Sequence, residues 1–400
     1  MKKTISSCKQ IFFLSGALGL VILFLLPGIF QVHYIFSNNK EFFQATTTPT
    51  KEVFRPSYVS TPTSVKGIYM TSWTAGMDNL RDKLVKLIVE TELNTVVIDI
   101  KDYSGKIVFP IENEELKSYG SEEIRIKDLQ NFIESLHKKE IYVIGRIAVF
   151  QDAYFIKHRP DLAVKNKDGT LVWRDKKGIS WIDPGSVEYW YYIALIAKEA
   201  RKIGFDEINF DYIRFPSDGN MQDISYLWSS TTPKTVILKN FFQYLHNQLF
   251  PIPIGNSYGN ESTLENHKLK ISADLFGMVT TAENDLGVGQ VLENALPYFD
   301  YVDPMVYPSH YPPTFEGFQE PEAHPYDIVH FALESAVNRT KQASTTPEKI
   351  RPWLQDFGLR QIYGPAEIKA QIKATNDVGL SSWLLWSASN NYTKDALNSQ

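Results

Sequence analysis

Short stretches of the chain alternate apolar and polar residues with a period of two, the mark of β-strands, and apolar residues recur every three or four positions between them, the mark of amphipathic helices. The clearest strand lies in Asp206–Pro216, where Ile208, Phe210 and Tyr212 share one face and Asn209 and Asp211 the other; Arg214 and Pro216 end the pattern. In Thr95–Lys101, Val96, Ile98 and Ile100 oppose Asp99 and Lys101. In Lys270–Phe276, Ile271, Ala273 and Leu275 oppose Ser272 and Asp274. Further strands are predicted at Lys66–Thr71, Ile141–Ala148 (carrying Arg146), Tyr301–Tyr307, Arg351–Asp356 and Ser382–Ser387. In the last of these, Leu384 and Trp386 share the inward parity while Trp383 faces the helices. Helical runs are expected from about Asn79, near Lys127–Lys139, from Asp183–Ser186 to Gly204, at Lys234–Phe250, Val288–Leu296 and Tyr326–Thr340, and from about Pro365 to Gly379. Asp183 or Ser186 is the expected N-cap of the third and Gly204 its C-cap. Strict strand–helix alternation predicts one (β/α)8 barrel over residues 65–392. A long insertion after the third strand, from Val149 to about Gly185, is expected to hold a hairpin with Asp168-Gly169 at its turn.

The N-terminal region follows a different pattern. Ile11–Phe30 contains no charged residue, which is long enough to cross a bilayer. Lys2, Lys3 and Lys9 precede it, so residues 1–10 are expected in the cytoplasm and 11–30 as an uncleaved transmembrane signal anchor. A cleaved signal peptide would have a shorter apolar core and a small-x-small site. Residues 31–64, with Asn38-Asn39, a Thr-rich tract, Pro56 and Pro62, read as a flexible stalk. The expected location is therefore the cell membrane, single-pass, with the barrel outside the cytoplasm. Cys8 is the only cysteine, so the exported part has neither disulfide nor thiol nucleophile.

Composition narrows the function classes. The chain is 43% hydrophobic and 22% charged, ordinary for a folded domain, and its net charge of −5 argues against nucleic-acid binding. No HExxH, Walker glycine loop, GxGxxG or G-x-S-x-G is present, so neither a metal nor a cofactor is expected. Four acids fall on inward strand faces: Asp99, Asp211, Asp274 and Asp303. Carboxyl groups are costly to bury unless paired, so several near strand ends point to a shared cleft. Glycoside hydrolysis uses such a set: one carboxylic acid protonates the leaving oxygen and one carboxylate acts as nucleophile or base. Asp211 is the expected nucleophile and Asp274 the acid/base, with Asp303 the second choice for that role. Asp211 could instead pair with Arg146 or Arg214, and Asp99 could form a supporting pair with Lys101. Asp99, Arg146, Asn209, Arg214, Tyr307 and Trp386 are the expected substrate-binding residues, with Trp73 a further aromatic at a strand end.

Lys66–Tyr69, Trp181–Gly185, Asp206–Pro216, Ser272–Gly277 and Tyr301–Tyr307, in that order and spacing, resemble a bacterial glycoside-hydrolase-like domain family of unknown function, related to the alpha-amylase and alpha-galactosidase barrels. The resemblance implies a TIM barrel and a retaining mechanism. It matches Asp211 to the nucleophile at the end of strand four. The amylase-type acid, a Glu at strand five, falls nearest Asp274; the galactosidase-type acid, an Asp at strand six, falls at Asp303. The expected activity is cleavage of O-glycosidic bonds in an extracellular or cell-wall polysaccharide. A non-catalytic carbohydrate-binding protein on the same barrel is the alternative.

Overall fold

The computed structural model describes residues 54–250 and 269–400. The expected cytoplasmic segment, the transmembrane span at 11–30 and most of the stalk lie outside these residues. Among the described residues no helix is long and apolar enough to cross a membrane.

Eight parallel strands close into a barrel in sequence order. They are β1 (Lys66–Met70), β2 (Thr95–Lys101), β3 (Tyr142–Ala148), β4 (Glu207–Asp211), β5 (Lys270–Phe276), β6 (Tyr301–Met305), β7 (Trp353–Gln355) and β8 (Trp383–Trp386). β8 pairs with β1 through Lys66–Trp383, Gly67–Leu384 and Ile68–Leu385 to complete the ring. Six long helices form the jacket: α1 (Asp78–Glu90), α2 (Leu129–His137), α3 (Val187–Ile203), α4 (Lys234–Leu249), α5 (Pro325–Gln342) and α6 (Pro365–Asp377). The outward strand residues predicted from alternation, among them Val96, Ile98, Ile208, Phe210, Ile271 and Leu275, are buried in one continuous apolar layer with these helices. Burial at about 25 cal/mol per Å² of apolar surface makes this layer the main stabilising element.

Inside the ring the fill is different. Val65, Tyr69, Val97, Tyr142, Ile144, Trp353 and Leu384 form a smaller apolar cluster. Gly67 leaves room for it: a Cβ there would lie 2.7 Å from Leu384 Cδ2. The rest of the interior is largely polar and includes buried charges. Arg351, fully buried, donates to Asp303 Oδ1 (3.0 Å) and Oδ2 (2.7 Å) and to Glu207 Oε1 (2.5 Å).

Several elements depart from expectation for local reasons. The helix expected at Val288–Leu296 is only Leu292–Ala295, because Gly287 and Gly289 both adopt positive φ and break the turn. Asp183 does not cap α3. Its carboxylate accepts from Gly185 N and from Trp228 N (2.7 Å), fastening the insertion to a later loop, and α3 begins after Ser186. Lys101 does not pair with Asp99. A bulge between these residues re-aims it to Asp152 (3.0 Å) and the Ala148 carbonyl (2.6 Å). The hairpin in the insertion is present as a Lys165–Val172 bridge, with Gly169 in a left-handed turn. Pro304 removes a ladder donor from β6, and β6 and β7 pair at one position, Met305–Trp353.

Residues Ser57–Ser64, expected in the stalk, are hydrogen-bonded to the barrel. Val59 N donates to Asp206 Oδ1 (2.8 Å), while Asp206 Oδ2 receives Val143 N (2.8 Å) and lies 3.0 Å from His137 Nε2. Asp206 thus fastens this segment to the starts of β3 and β4.

Arg351 is the counter-charge of the lower interior, so Arg351→Met should leave Glu207 and Asp303 buried and unpaired. The expected loss is about 3–5 kcal/mol, seen in thermal unfolding as a Tm lower by roughly 4–7 °C. A Tm indistinguishable from wild type would refute this reading.

Candidate active site

Above the Arg351 layer, β2, β4 and β5 bring three carboxyl groups together around one cation carried by β3. Arg146 on β3 is buried; its Nη1 donates to Asp99 Oδ1 on β2 (2.5 Å) and its Nη2 to Asp211 Oδ2 on β4. Its Nε has no acceptor of its own, and Asp274 Oδ2 on β5 stands 3.8 Å away. One guanidinium therefore bridges neighbouring strands. Asp211 and Asp274 lie apart by no more than one arginine fork and two contacts, below the roughly 9.5 Å upper limit for glycosidase carboxyl pairs.

Each acid has its own support. Tyr69 OH donates to Asp99 Oδ2. Asp211 Oδ1 accepts the backbone N–H of Tyr212 (2.5 Å). Asp274 Oδ1 accepts from Asn209 Nδ2 (2.8 Å) and Trp353 Nε1 (2.8 Å). Asn209 Nδ2 also lies 3.1 Å from Ser272 Oγ and 3.2 Å from Asp303 Oδ2, so it links the two layers.

Burial pushes the Asp274 carboxyl well above the ordinary carboxylate range, and the charges of Asp211 and Asp303 raise it further. Asp303 is raised to about 6, by burial first, against the opposing pull of Arg351. Asp99 is raised by burial, partly offset by Arg146.

A cleft of about 470 Å³ opens at the C-terminal ends of the strands. Arg146, Asp211, Arg214, Asp274, Tyr307 and Trp386 all line it. Trp386 stacks on Tyr69 with centroids 4.0 Å apart and meets Trp353 edge-on, so its indole is a fixed wall. Asp99 and Asn209 lie behind this wall and hold Arg146 and Asp274. Asp303 has the inward parity expected of it but sits a layer too deep, below Met305, and is engaged by Arg351 rather than facing the cleft. Trp73 is half-exposed beneath the Arg125 guanidinium and takes no part in the cleft.

Tyr212 was expected against the helices. Its φ of 53° breaks the alternation just after Asp211 and sends the ring into the cleft wall. Backbone in this region is costly for a bulky residue and is concentrated at functional sites. Tyr69, Trp353, Lys177 and His310 went unrecognised in the sequence. Tyr69 and Trp353 carried an inward strand parity that would have flagged them. Lys177, on an insertion loop, and His310, on a loop after β6, carried no such signal.

The raised Asp303 value fixes a sign for stability against pH. A carboxyl that holds its proton more tightly when folded stabilises fully below its unfolded value, about 4. That contribution is lost as pH rises through the folded value of about 6. Wild-type stability in denaturant should therefore fall between about pH 4 and 6, by on the order of 2–3 kcal/mol from this group. Asp303→Asn should lose that part of the slope; identical slopes for the two proteins would contradict it.

No curated protein matches the chain. Among solved structures, a hypothetical protein from Ruminiclostridium thermocellum is 34% identical over 47% of this chain and 95% of its own, with a TM-score of 0.42. The PgaB (BpsB) glycoside hydrolase domain from Bordetella bronchiseptica shares 12% identity over 84% of this chain and 99% of its own, with a TM-score of 0.58. An alpha-L-fucosidase isoenzyme 2 from Paenibacillus thiaminolyticus shares 11% identity over 83% of this chain and 48% of its own, with a TM-score of 0.50. At such identities these last two speak for the barrel alone. The family model described as "putative glycosyl hydrolase domain" matches residues 67–392, the whole barrel from β1 to beyond β8, and the chain belongs to that family.

Proposed function

We propose that the barrel hydrolyses O-glycosidic bonds, with Asp211 as nucleophile and Asp274 as general acid and then general base. The observation that carries this reading is the unequal treatment of two carboxyl groups on adjacent strands. Asp211 accepts an arginine N–H and a backbone N–H. Asp274 is raised by burial and by its acidic neighbours, which favours the protonated acid. Two acids in such unequal surroundings can divide the roles of donor and nucleophile. Asn209 and Trp353 both occupy Asp274 Oδ1, which leaves Oδ2 to carry the proton. In the first step the Asp274 proton passes to the leaving oxygen as the Asp211 carboxylate attacks the anomeric carbon. In the second, Asp274 takes a proton from water as that water displaces Asp211. Trp386 and Tyr307 offer aromatic faces to the sugar rings.

The polymer we propose as substrate is an extracellular or cell-wall polysaccharide, met by a barrel tethered at the membrane. The support is the uncharged run Ile11–Phe30 behind Lys2, Lys3 and Lys9. A binding-only role has one observation in its favour: Arg146 already engages the Asp211 carboxylate.

Asp211→Asn separates the two. The hydrolase reading expects turnover of a cleaved glycan to collapse while its binding persists. Asp274→Asn should lower kcat about 10²–10⁴-fold. Wild-type activity should decline as pH rises through the elevated Asp274 value, because the acid must be protonated. Proton NMR of the first-formed anomer reads the stereochemistry, with retention expected. If wild type cleaves no member of a broad glycan panel yet binds one as tightly as Asp211→Asn does, the binding role stands instead.

A further inference from the structure

Beyond Asp211, the cleft lining carries cations that form no salt bridge among the described residues. Arg214, beyond Asp211, is buried and lines the cleft, yet it forms no salt bridge among the described residues. Its side chain makes two hydrogen bonds there, both from Nη1, to the Phe215 carbonyl (3.0 Å) and Ser217 Oγ (3.2 Å). Nε and Nη2, one edge of the planar fork, meet no protein acceptor among the described residues. Aromatic rings fix the guanidinium in place: Phe276 at 4.5 Å, Trp181 at 4.7 Å and Tyr212 at 5.6 Å from their centroids. The contrast with the interior is direct, because Arg146 and Arg351 each satisfy two carboxylates.

Lys177 supplies a second cation to the lining of the same cleft. Asp175 shapes its loop by accepting Lys177 N (2.9 Å) and Ile179 N (2.9 Å) at Oδ1 and Trp181 Nε1 (3.1 Å) at Oδ2. The loop presents Lys177 to the cleft, and the lysine forms no salt bridge among the described residues. Asp211, Asp218 and Asp175 act on the Arg214 guanidinium without pairing with it and offset its burial only in part, so an anionic ligand would lower the remaining cost.

We propose that the cleft contains a subsite for a carboxylate-bearing sugar, such as a uronic acid unit, held by Arg214 through its free planar edge and by Lys177 as a point charge. A planar two-donor edge matches the two oxygens of a carboxylate. The inference rests on the cleft being a glycan site and names the chemical class of its glycan.

The test is isothermal titration of the Asp211→Asn protein, which holds glycans without turnover, against matched oligosaccharide pairs. The probes are oligogalacturonate, alginate and hyaluronan oligomers, each beside the same oligomer with its carboxylates reduced to alcohols. At least one acidic member should bind tenfold or more tightly than its reduced partner, and the advantage should shrink as salt is raised. Adding Arg214→Met, or separately Lys177→Met, should cut that ratio at least fivefold while leaving the circular dichroism spectrum unchanged. The proposal is overturned if no acidic oligomer outbinds its reduced partner. It is equally overturned if the ratio survives Arg214→Met, or if sulfated oligosaccharides outbind all uronates. The hydrolase reading fails separately: an acidic preference without cleavage by wild type would sink that reading and leave this one. Cleavage of neutral glycans with no acidic preference would do the reverse.

Discussion

A single guanidinium at the centre of a closed ring of strands sets the terms for everything around it. Arg146 is surrounded by three acids on neighbouring strands, and one positive charge cannot balance three negative ones in a buried site. It bonds directly to Asp99 and Asp211 and leaves Asp274 at 3.8 Å from Nε. Burial first, and then the charges of Asp211 and Asp303, hold this third carboxyl well above the ordinary carboxylate range, with no direct bond from the arginine to offset them. The division of labour between two chemically identical side chains follows from which strand each stands on and which oxygens the arginine can reach.

That arrangement depends on the layer beneath it. TIM-barrel interiors are ordinarily filled by branched apolar side chains. Here the lower interior holds Glu207, Asp303 and Arg351, all fully buried, in a self-contained ion cluster. Asn209 stands between the two layers and donates to both. Its amide separates Asp274 from Asp303, whose mutual repulsion contributes to raising Asp274. The outer apolar jacket supplies the stability that lets the interior remain polar, so folding and chemistry use opposite faces of the same strands.

Backbone conformation completes the site. Tyr212 adopts a left-handed φ immediately after Asp211, a conformation that costs a non-glycine residue of order 1–3 kcal/mol. Its N–H points back to the Asp211 carboxylate, and its ring, with Trp181 and Phe276, encloses Arg214. One unfavourable dihedral thus places the last residue of β4 and the first two cleft residues beyond it.

The alternation of Ile208, Phe210, Asn209 and Asp211, repeated in β2 and β5, was enough by itself to determine the strands, their inward faces and the ring they close. Strand parity is a local property, fixed by the two-residue repeat of extended backbone. It identified Asp99, Asn209, Asp211, Asp274 and Trp386 as inward because that question needs no knowledge of neighbours. Depth and pairing were beyond it. Asp303 shares the parity of Asp274, yet strand stagger puts it a layer lower, against Arg351. Lys101 left Asp99 for Asp152 because of a bulge, and Tyr212 left the helical face because of one dihedral. Residues 57–64 looked like linker because proline and threonine carry no periodicity, although Asp206 and Tyr142 wait for them at the base of the barrel. Lys177 and His310 reach the cleft from loops, where side-chain direction is set by contacts distant in sequence. Which carboxyl meets which cation is a matter of three-dimensional distance, and only the closed barrel decided it.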